Sequence, residues 1–174
     1  LRTGPRAKNS YSLWISIGLL FSLAGDVFLL RSDHFFTLGL LAFLLTHIAY
    51  LVAFTRDTRF PARLSVWSLF LLFAGSCYFL LYSRLPPELH IPVAIYAILL
   101  VSMAAQAMGR SLKLRTTSAQ FAAIGGLLFV LSDSLLAFDR FYKPLPLAPL
   151  LVLLPYYAAQ WLIASSTDDL PLSS

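Results

Sequence analysis

The chain has 174 residues, 59% of them hydrophobic and 12% charged, with a mean hydropathy of +0.77. Soluble domains carry about 45–50% apolar and about 25% charged residues, and so few polar side chains cannot cover so large an apolar core. A soluble globular enzyme, a disordered chain and a fibrous protein are excluded. The formal charge is +5, but the basic residues fall in short loops, where they set membrane orientation rather than contact nucleic acid.

Six nearly uncharged stretches have about the 20 residues needed to cross a ~30 Å hydrocarbon layer. Span A is read as Ser10–Leu30, span B as His34–Phe54 and span C as Ala62–Tyr82. Span D runs over Pro87–Met108, span E over Ser118–Phe138 and span F over Leu145–Ala164. Their apolar character is all-round rather than confined to one stripe, which marks bilayer helices. The breaks are Arg31–Asp33, Arg56–Arg63 with Pro61, Pro86-Pro87, Gly109–Thr117 and Asp139–Pro144. Open strands leave backbone groups unpaired in lipid. The expected fold is therefore all-α, a polytopic helix bundle forming a single transmembrane domain over residues 1–174.

Residues 1–9 lead into a full-length span rather than a short apolar region with a cleavage site, so no signal peptide is read. A lone cysteine, Cys77, rules out an internal disulfide. Arg2, Arg6, Lys8, Arg56, Arg59, Arg63, Arg110, Lys113 and Arg115 fall on the side of the N-terminus; Arg31, Arg84, Arg140 and Lys143 fall on the other. The positive-inside rule places both termini of this stretch in the cytoplasm. Short loops fit a bacterial inner membrane, or the endoplasmic reticulum of a eukaryote.

Two acidic residues fall well inside spans, Asp26 in "LAGDVFLL" and Asp133 in "FVLSDSLLAF". An aspartate at depth costs about 2.5–3.5 kcal/mol on insertion, so it faces the bundle interior and marks a working site; the bland alternative is a protonated side chain bonding a neighbouring helix. Spans A and E run in the same direction, and both aspartates lie ~6–8 Å below the same boundary at ~1.5 Å rise per residue. If A and E are neighbours, helped by the small residues Gly25, Ser132 and Gly125-Gly126, the carboxyls face each other across one cavity. Two close carboxyls do not ionise alike, so one is expected to act as an acid and one as a base.

His47 and Tyr50 share one helix face, as do Tyr156 and Gln160. His47 is either a helix–helix hydrogen bonder or a catalyst. Tyr96, Tyr156 and Tyr157 are aromatic residues within spans, and the last two lie too deep for an interface belt. His90 and Glu88 read as a solvated loop end. Arg140 and Lys143, just outside Asp133, are either ordinary loop charges or a phosphate site. No metal-ligand spacing, P-loop, Gly-x-Ser-x-Gly or dinucleotide fingerprint occurs. A weak echo between "GDVFLLRSDHFF" and "SDSLLAFDRFY" would relate A–B to E–F as parallel repeats.

The segments "AGDVFLL", "THIAYLVAF", "IPVAIYAILL", "GGLLFVLSDSLLAFDRF" and "PLPLAPLLVLLPYYAAQWLI" resemble, in this order, the YhhN-type lysoplasmalogenase family. The SD-x-x-LA-x-D block with the downstream YYAAQ is the most specific part. The family is described with eight spans, so two more are expected ahead of Leu1. The resemblance implies hydrolysis of the vinyl ether bond of a lysoplasmalogen, a lysophospholipid. The products are a fatty aldehyde and a glycerophosphocholine or glycerophosphoethanolamine, formed without a metal or organic cofactor. It makes Asp26 and Asp133 the catalytic pair. His47, Tyr50, Tyr96, Asp139, Tyr156, Tyr157 and Gln160 fall on recurrent polar positions, expected with Arg140 and Lys143 to bind substrate. Vinyl ether cleavage suits two carboxyls on its own terms, since its oxocarbenium-like intermediate is of the kind glycosidases meet with such a pair.

Two other functions compete. An intramembrane aspartyl protease would need Gly-x-Gly-Asp, but Leu23 stands where its first glycine belongs, and a Pro-Ala-Leu motif is missing. A proton-coupled transporter would use the carboxyls as a relay, but no clear inverted repeat or broken helix pair is seen.

Overall fold

A computed structural model describes residues 5–31 and 35–168, with side chains from residue 9 onward. Arg2, Asp33 and His34 lie outside the described residues, as do the side chains of Arg6 and Lys8. Six α-helices run in sequence: α1 (Pro5–Arg31), α2 (Phe36–Phe54), α3 (Leu64–Tyr82), α4 (His90–Leu114), α5 (Thr117–Phe141) and α6 (Ala148–Ser165). All six are long and apolar enough to cross a membrane, and the chain is an integral membrane protein of the all-α class.

Helices α1, α4 and α5 outrun their expected bounds, and α4 and α6 also start late. The sequence suggests a break over Gly109–Thr117, yet α4 continues to Leu114 and leaves Arg115 and Thr116 as the turn. The cause is tertiary. Arg110 is only 5% exposed and holds Asp57 through Nε at 2.9 Å and a second guanidinium nitrogen at 2.8 Å, so this cation has its counter-ion inside the fold. Gly109 lies so close to the α2–α3 loop that an added Cβ would meet Ala62 Cβ at 2.8 Å and Arg63 N at 3.0 Å. Arg115 then ends α4 in the left-handed conformation, φ 53°. Thr116 caps α5, its hydroxyl accepting from Ala119 N at 3.3 Å. At its far end α5 runs through Asp139 and Arg140 to Phe141, and α6 begins at Ala148 instead of Leu145.

A second side chain of α4 also holds the α2–α3 loop. Gln106, 1% exposed, accepts from Ala62 N at 2.8 Å. It donates to Phe54 O at 3.1 Å, Thr58 O at 3.3 Å and Thr58 Oγ1 at 3.0 Å. Polar groups at membrane depth must be satisfied within the protein, and Gln106 satisfies the last carbonyl of α2 and three loop atoms together.

Helix α1 packs on α2, α2 on α4, α4 on α5 and α5 on α6, while α6 closes back on α1 through a smaller contact. Helix α3 stands outside this ring, against α4 and the edge of α5. The condition that spans A and E be neighbours is not met: among the described residues α1 and α5 make no direct packing contact. The small residues serve other interfaces. A Cβ on Gly25 would strike the Phe43 ring of α2 at 2.7 Å, and one on Gly125 would strike Ile163 Cγ1 at 2.7 Å and Ala159 O at 2.9 Å, both of α6. One on Gly126 would meet Ala104 Cα of α4 at 3.2 Å. The space between α1 and α5 is thereby kept open, with α2, α4 and α6 around it.

Candidate active site

That space is a cavity of about 150 Å³. It is walled by the C-terminal parts of α1, α3 and α5 and the N-terminal parts of α2, α4 and α6, and so lies in the half of the bundle away from the described termini. Its lining is apolar apart from a few groups, among them Asp26, Tyr96, Ser132, Asp133, Arg140 and Tyr156. Both aspartates therefore open on one cavity, although their helices are not adjacent. No group of three or more metal-ligating side chains occurs among the described residues.

Each aspartate accepts a hydrogen bond from a tyrosine. Tyr156 of α6 donates to Asp26 Oδ2 at 2.8 Å, and Tyr96 of α4 donates to Asp133 Oδ2 at 2.5 Å. Behind Tyr96 stands His47, whose Nε2 is 3.0 Å from the Tyr96 hydroxyl and 3.5 Å from Asp133 Oδ2. The single Tyr96 proton is committed to Asp133, so His47 Nε2 carries the hydrogen that Tyr96 accepts. His47 Nδ1 is buried with no hydrogen-bond partner; the bare lone pair of that tautomer leaves no donor stranded. Behind Tyr156 stands Ser22 Oγ at 2.8 Å, then the Gln160 amide, which donates to Ser22. Last comes the Tyr50 hydroxyl, which donates to Gln160 Oε1 at 2.6 Å.

Aromatic edges fix the rings in this arrangement. Phe129 meets His47 at 4.9 Å and Tyr156 at 5.6 Å between centroids, both edge-on. Phe43 meets Tyr156 edge-on at 5.8 Å, and Gly25 leaves the room that Phe43 occupies. Such T-shaped pairs are worth about 0.5–1.5 kcal/mol each beyond their burial. The serine before Asp133 also has a partner: Ser132 Oγ donates to Val152 O of α6 at 2.9 Å.

The residues expected from the sequence divide into three groups. Asp26, Asp133, Tyr96, Tyr156 and Arg140 line the cavity. His47, Tyr50 and Gln160 are buried behind its wall and reach it only through other side chains. Tyr157, Asp139 and Lys143 do not line it: Tyr157 is 57% exposed, Lys143 is exposed in the α5–α6 turn, and Asp139 accepts from Leu145 N at 2.7 Å to hold that turn. The Arg140 guanidinium lies over the Phe36 ring at 4.0 Å. His90 sits away from the site, with Nε2 3.1 Å from Leu85 O and its ring stacked on Tyr82. Sequence reasoning missed Ser22. Its spacing to Asp26, four residues on α1, matches that of Tyr156 and Gln160 on α6, and the two pairs face each other.

The YhhN family model matches residues 2–167, nearly the whole chain. The chain belongs to the YhhN family. Among its relatives, the bovine lysoplasmalogenase TMEM86A is 36% identical over 97% of this chain and 69% of its own length. The human lysoplasmalogenase TMEM86A is 35% identical over 89% of this chain and 65% of its own. The pig lysoplasmalogenase TMEM86B is 35% identical over 95% and 68%. The chain thus spans about two thirds of the length of these YhhN-family relatives. No solved structure matches it.

Proposed function

We propose that this YhhN-family chain hydrolyses the vinyl ether bond of lysoplasmalogens, with Asp26 and Asp133 as its acid–base pair. The observation that carries this reading is that two intramembrane carboxyls from separate helices open on one otherwise apolar cavity, each held by a tyrosine. The names of the relatives support the same activity.

Asp26, with one neutral donor on Oδ2, is the acid. Asp133, with Tyr96 on Oδ2 and His47 beside it, is the ionised partner. Asp26 gives its proton to the alkene carbon remote from oxygen, and the carbon attached to oxygen becomes an oxocarbenium centre. Asp133 stabilises that cation and takes a proton from the water that attacks it. In the resulting hemiacetal, Asp26, now ionised, takes back the hydroxyl proton while Asp133 gives its proton to the glycerol oxygen. The bond from carbon to that oxygen breaks to release the fatty aldehyde and a free glycerol hydroxyl, so one water is consumed and both carboxyls return to their starting states.

The acyl-like tail belongs among the apolar walls and the head group at the mouth away from the termini. By the positive-inside count, the termini are cytoplasmic and that mouth faces the opposite side. Arg140 is the cation that lines the cavity. Replacing Arg140 with Gln is expected to raise KM for lysolipid about tenfold with little change in kcat, because phosphate binding is uniform to ground and transition states. An unchanged KM removes Arg140 from phosphate binding.

The direct test is aldehyde release from a vinyl ether lysolipid by purified protein in detergent, with the saturated-ether lysolipid as control. The saturated compound has no alkene to protonate and is expected to be inert. A protein that releases no aldehyde in detergent but moves protons across sealed vesicles is a transporter, and the hydrolase reading fails.

A further inference from the structure

The hydrogen-bond chain behind Asp26 runs in one direction. Tyr50 of α2 donates to Gln160 of α6, Gln160 to Ser22 of α1 and Tyr156 of α6 to Asp26; since Tyr156 has one proton, Ser22 is the donor in the Ser22–Tyr156 pair. Every proton in it is committed toward the carboxyl. Reversal that keeps the Ser22 proton within the chain requires Tyr156 to donate to Ser22, Ser22 to the Gln160 carbonyl, and the Gln160 amide to turn its nitrogen toward Tyr50. The Tyr50 hydroxyl proton would then lose its acceptor, in a residue with 0% exposure, and an unsatisfied buried donor is costly. Tyr50 does not line the cavity, so the far end of the chain is sealed from water and substrate.

The direction matters for an acid. A carboxyl protonated on Oδ2 would donate to Tyr156, and that proton would be spent on the protein. We propose that the chain Tyr50–Gln160–Ser22–Tyr156 keeps Asp26 Oδ2 an acceptor and so confines the acidic proton to Oδ1, the oxygen left to deliver it. Tyr50, Gln160 and Ser22 are then positioning residues that never touch substrate. The proposal rests on the reading of Asp26 as the catalytic acid. Gly18 belongs to the same device: a Cβ there would meet the Tyr50 ring at 2.3 Å, so the bare backbone of α1 is what lets that ring seat.

The test is a mutant cycle on the full chain in detergent, read as kcat and KM for a vinyl ether lysolipid, with thermal melting to score folding. Tyr50→Phe removes one buried oxygen and with it the donor that holds the Gln160 carbonyl, so the forward chain then carries an unpartnered acceptor and loses its advantage over the reversed one. It is expected to lower kcat about tenfold with KM unchanged, the size of effect that one misdirected buried hydrogen bond produces. In a Tyr156→Phe background, where the chain is already cut at its last step, Tyr50→Phe is expected to have no further effect; unrelated packing lesions would instead multiply. Ser22→Ala cuts the chain at its centre and is expected to match Tyr50→Phe, which covers the case that Tyr50→Phe does not fold. A kcat within twofold of wild type for folded Tyr50→Phe or Ser22→Ala, or multiplicative losses in the double variant, overturns the proposal while Asp26→Asn stays inactive. If Asp26→Asn itself turns over, the failure lies in the reading of Asp26 and not in the chain alone.

Discussion

Asp133→Asn is expected to lower vinyl ether turnover by at least a hundredfold, and Asp26→Asn by as much. General acid–base groups contribute roughly 10²–10⁴-fold, and members of one catalytic unit do not act additively, so the double variant should be little worse than either single one. Asparagine keeps the shape of the side chain and an acceptor oxygen for Tyr96 or Tyr156, so both variants should insert and melt like wild type. The comparison that decides is aldehyde release per folded protein. More than about a tenth of wild-type turnover in a folded variant would exclude an essential role for that aspartate.

The second large effect is structural. Gly125→Leu is expected to lower the melting temperature sharply and abolish turnover together. An added Cβ already meets Ile163 and the Ala159 carbonyl below 3 Å, and the rest of a leucine has nowhere to go without separating α5 from α6. Overpacking of this kind costs typically about 1–3 kcal/mol. The separation also parts Ser132 from Val152 and so shifts Asp133 relative to Tyr156. Gly75 supplies the control, because nothing lies within 4 Å of a Cβ there. Gly75→Leu should leave melting and turnover unchanged or raise stability slightly, since leucine favours a helix interior over glycine by roughly 0.5–1 kcal/mol. Equal melting of the two variants would show that the α5–α6 contact is not close-packed.

The six spans were legible because lipid imposes all-round apolarity, a signal that needs no partner helix to be recognised. The end of α4 was not legible. Arg110 reads as a loop cation from its neighbours in sequence, and its counter-ion, Asp57, lies on a different segment. Neighbour relations among the helices were hidden for a related reason: with apolar side chains on every face, no stripe says which face meets protein. Hence the sequence could pose the adjacency of α1 and α5 only as a condition, and the structure separates them by a cavity. Polar spacing recovered part of what apolar spacing could not. Tyr156 and Tyr157 are consecutive and chemically alike, yet only Tyr156 has Gln160 four residues on, and Tyr156 is the one that faces Asp26. Ser22 went unread because a lone serine in a helix is ordinary; it acquires meaning only opposite the Tyr156–Gln160 pair.

Helix α3 gives the cavity a wall unlike the others. It supplies Phe73, Ala74, Cys77, Tyr78 and Leu81 to the lining, yet of its residues Ala74 and Leu81 alone are buried, and its packing is almost entirely with α4. Each helix of the ring is clasped on two sides, so displacing one breaks two interfaces; displacing α3 breaks essentially one. In free-energy terms the cavity's stiffness is uneven around its circumference, and local opening follows the least-contacted element. The softest direction points sideways into the bilayer, toward the acyl chains, rather than along the membrane normal toward water.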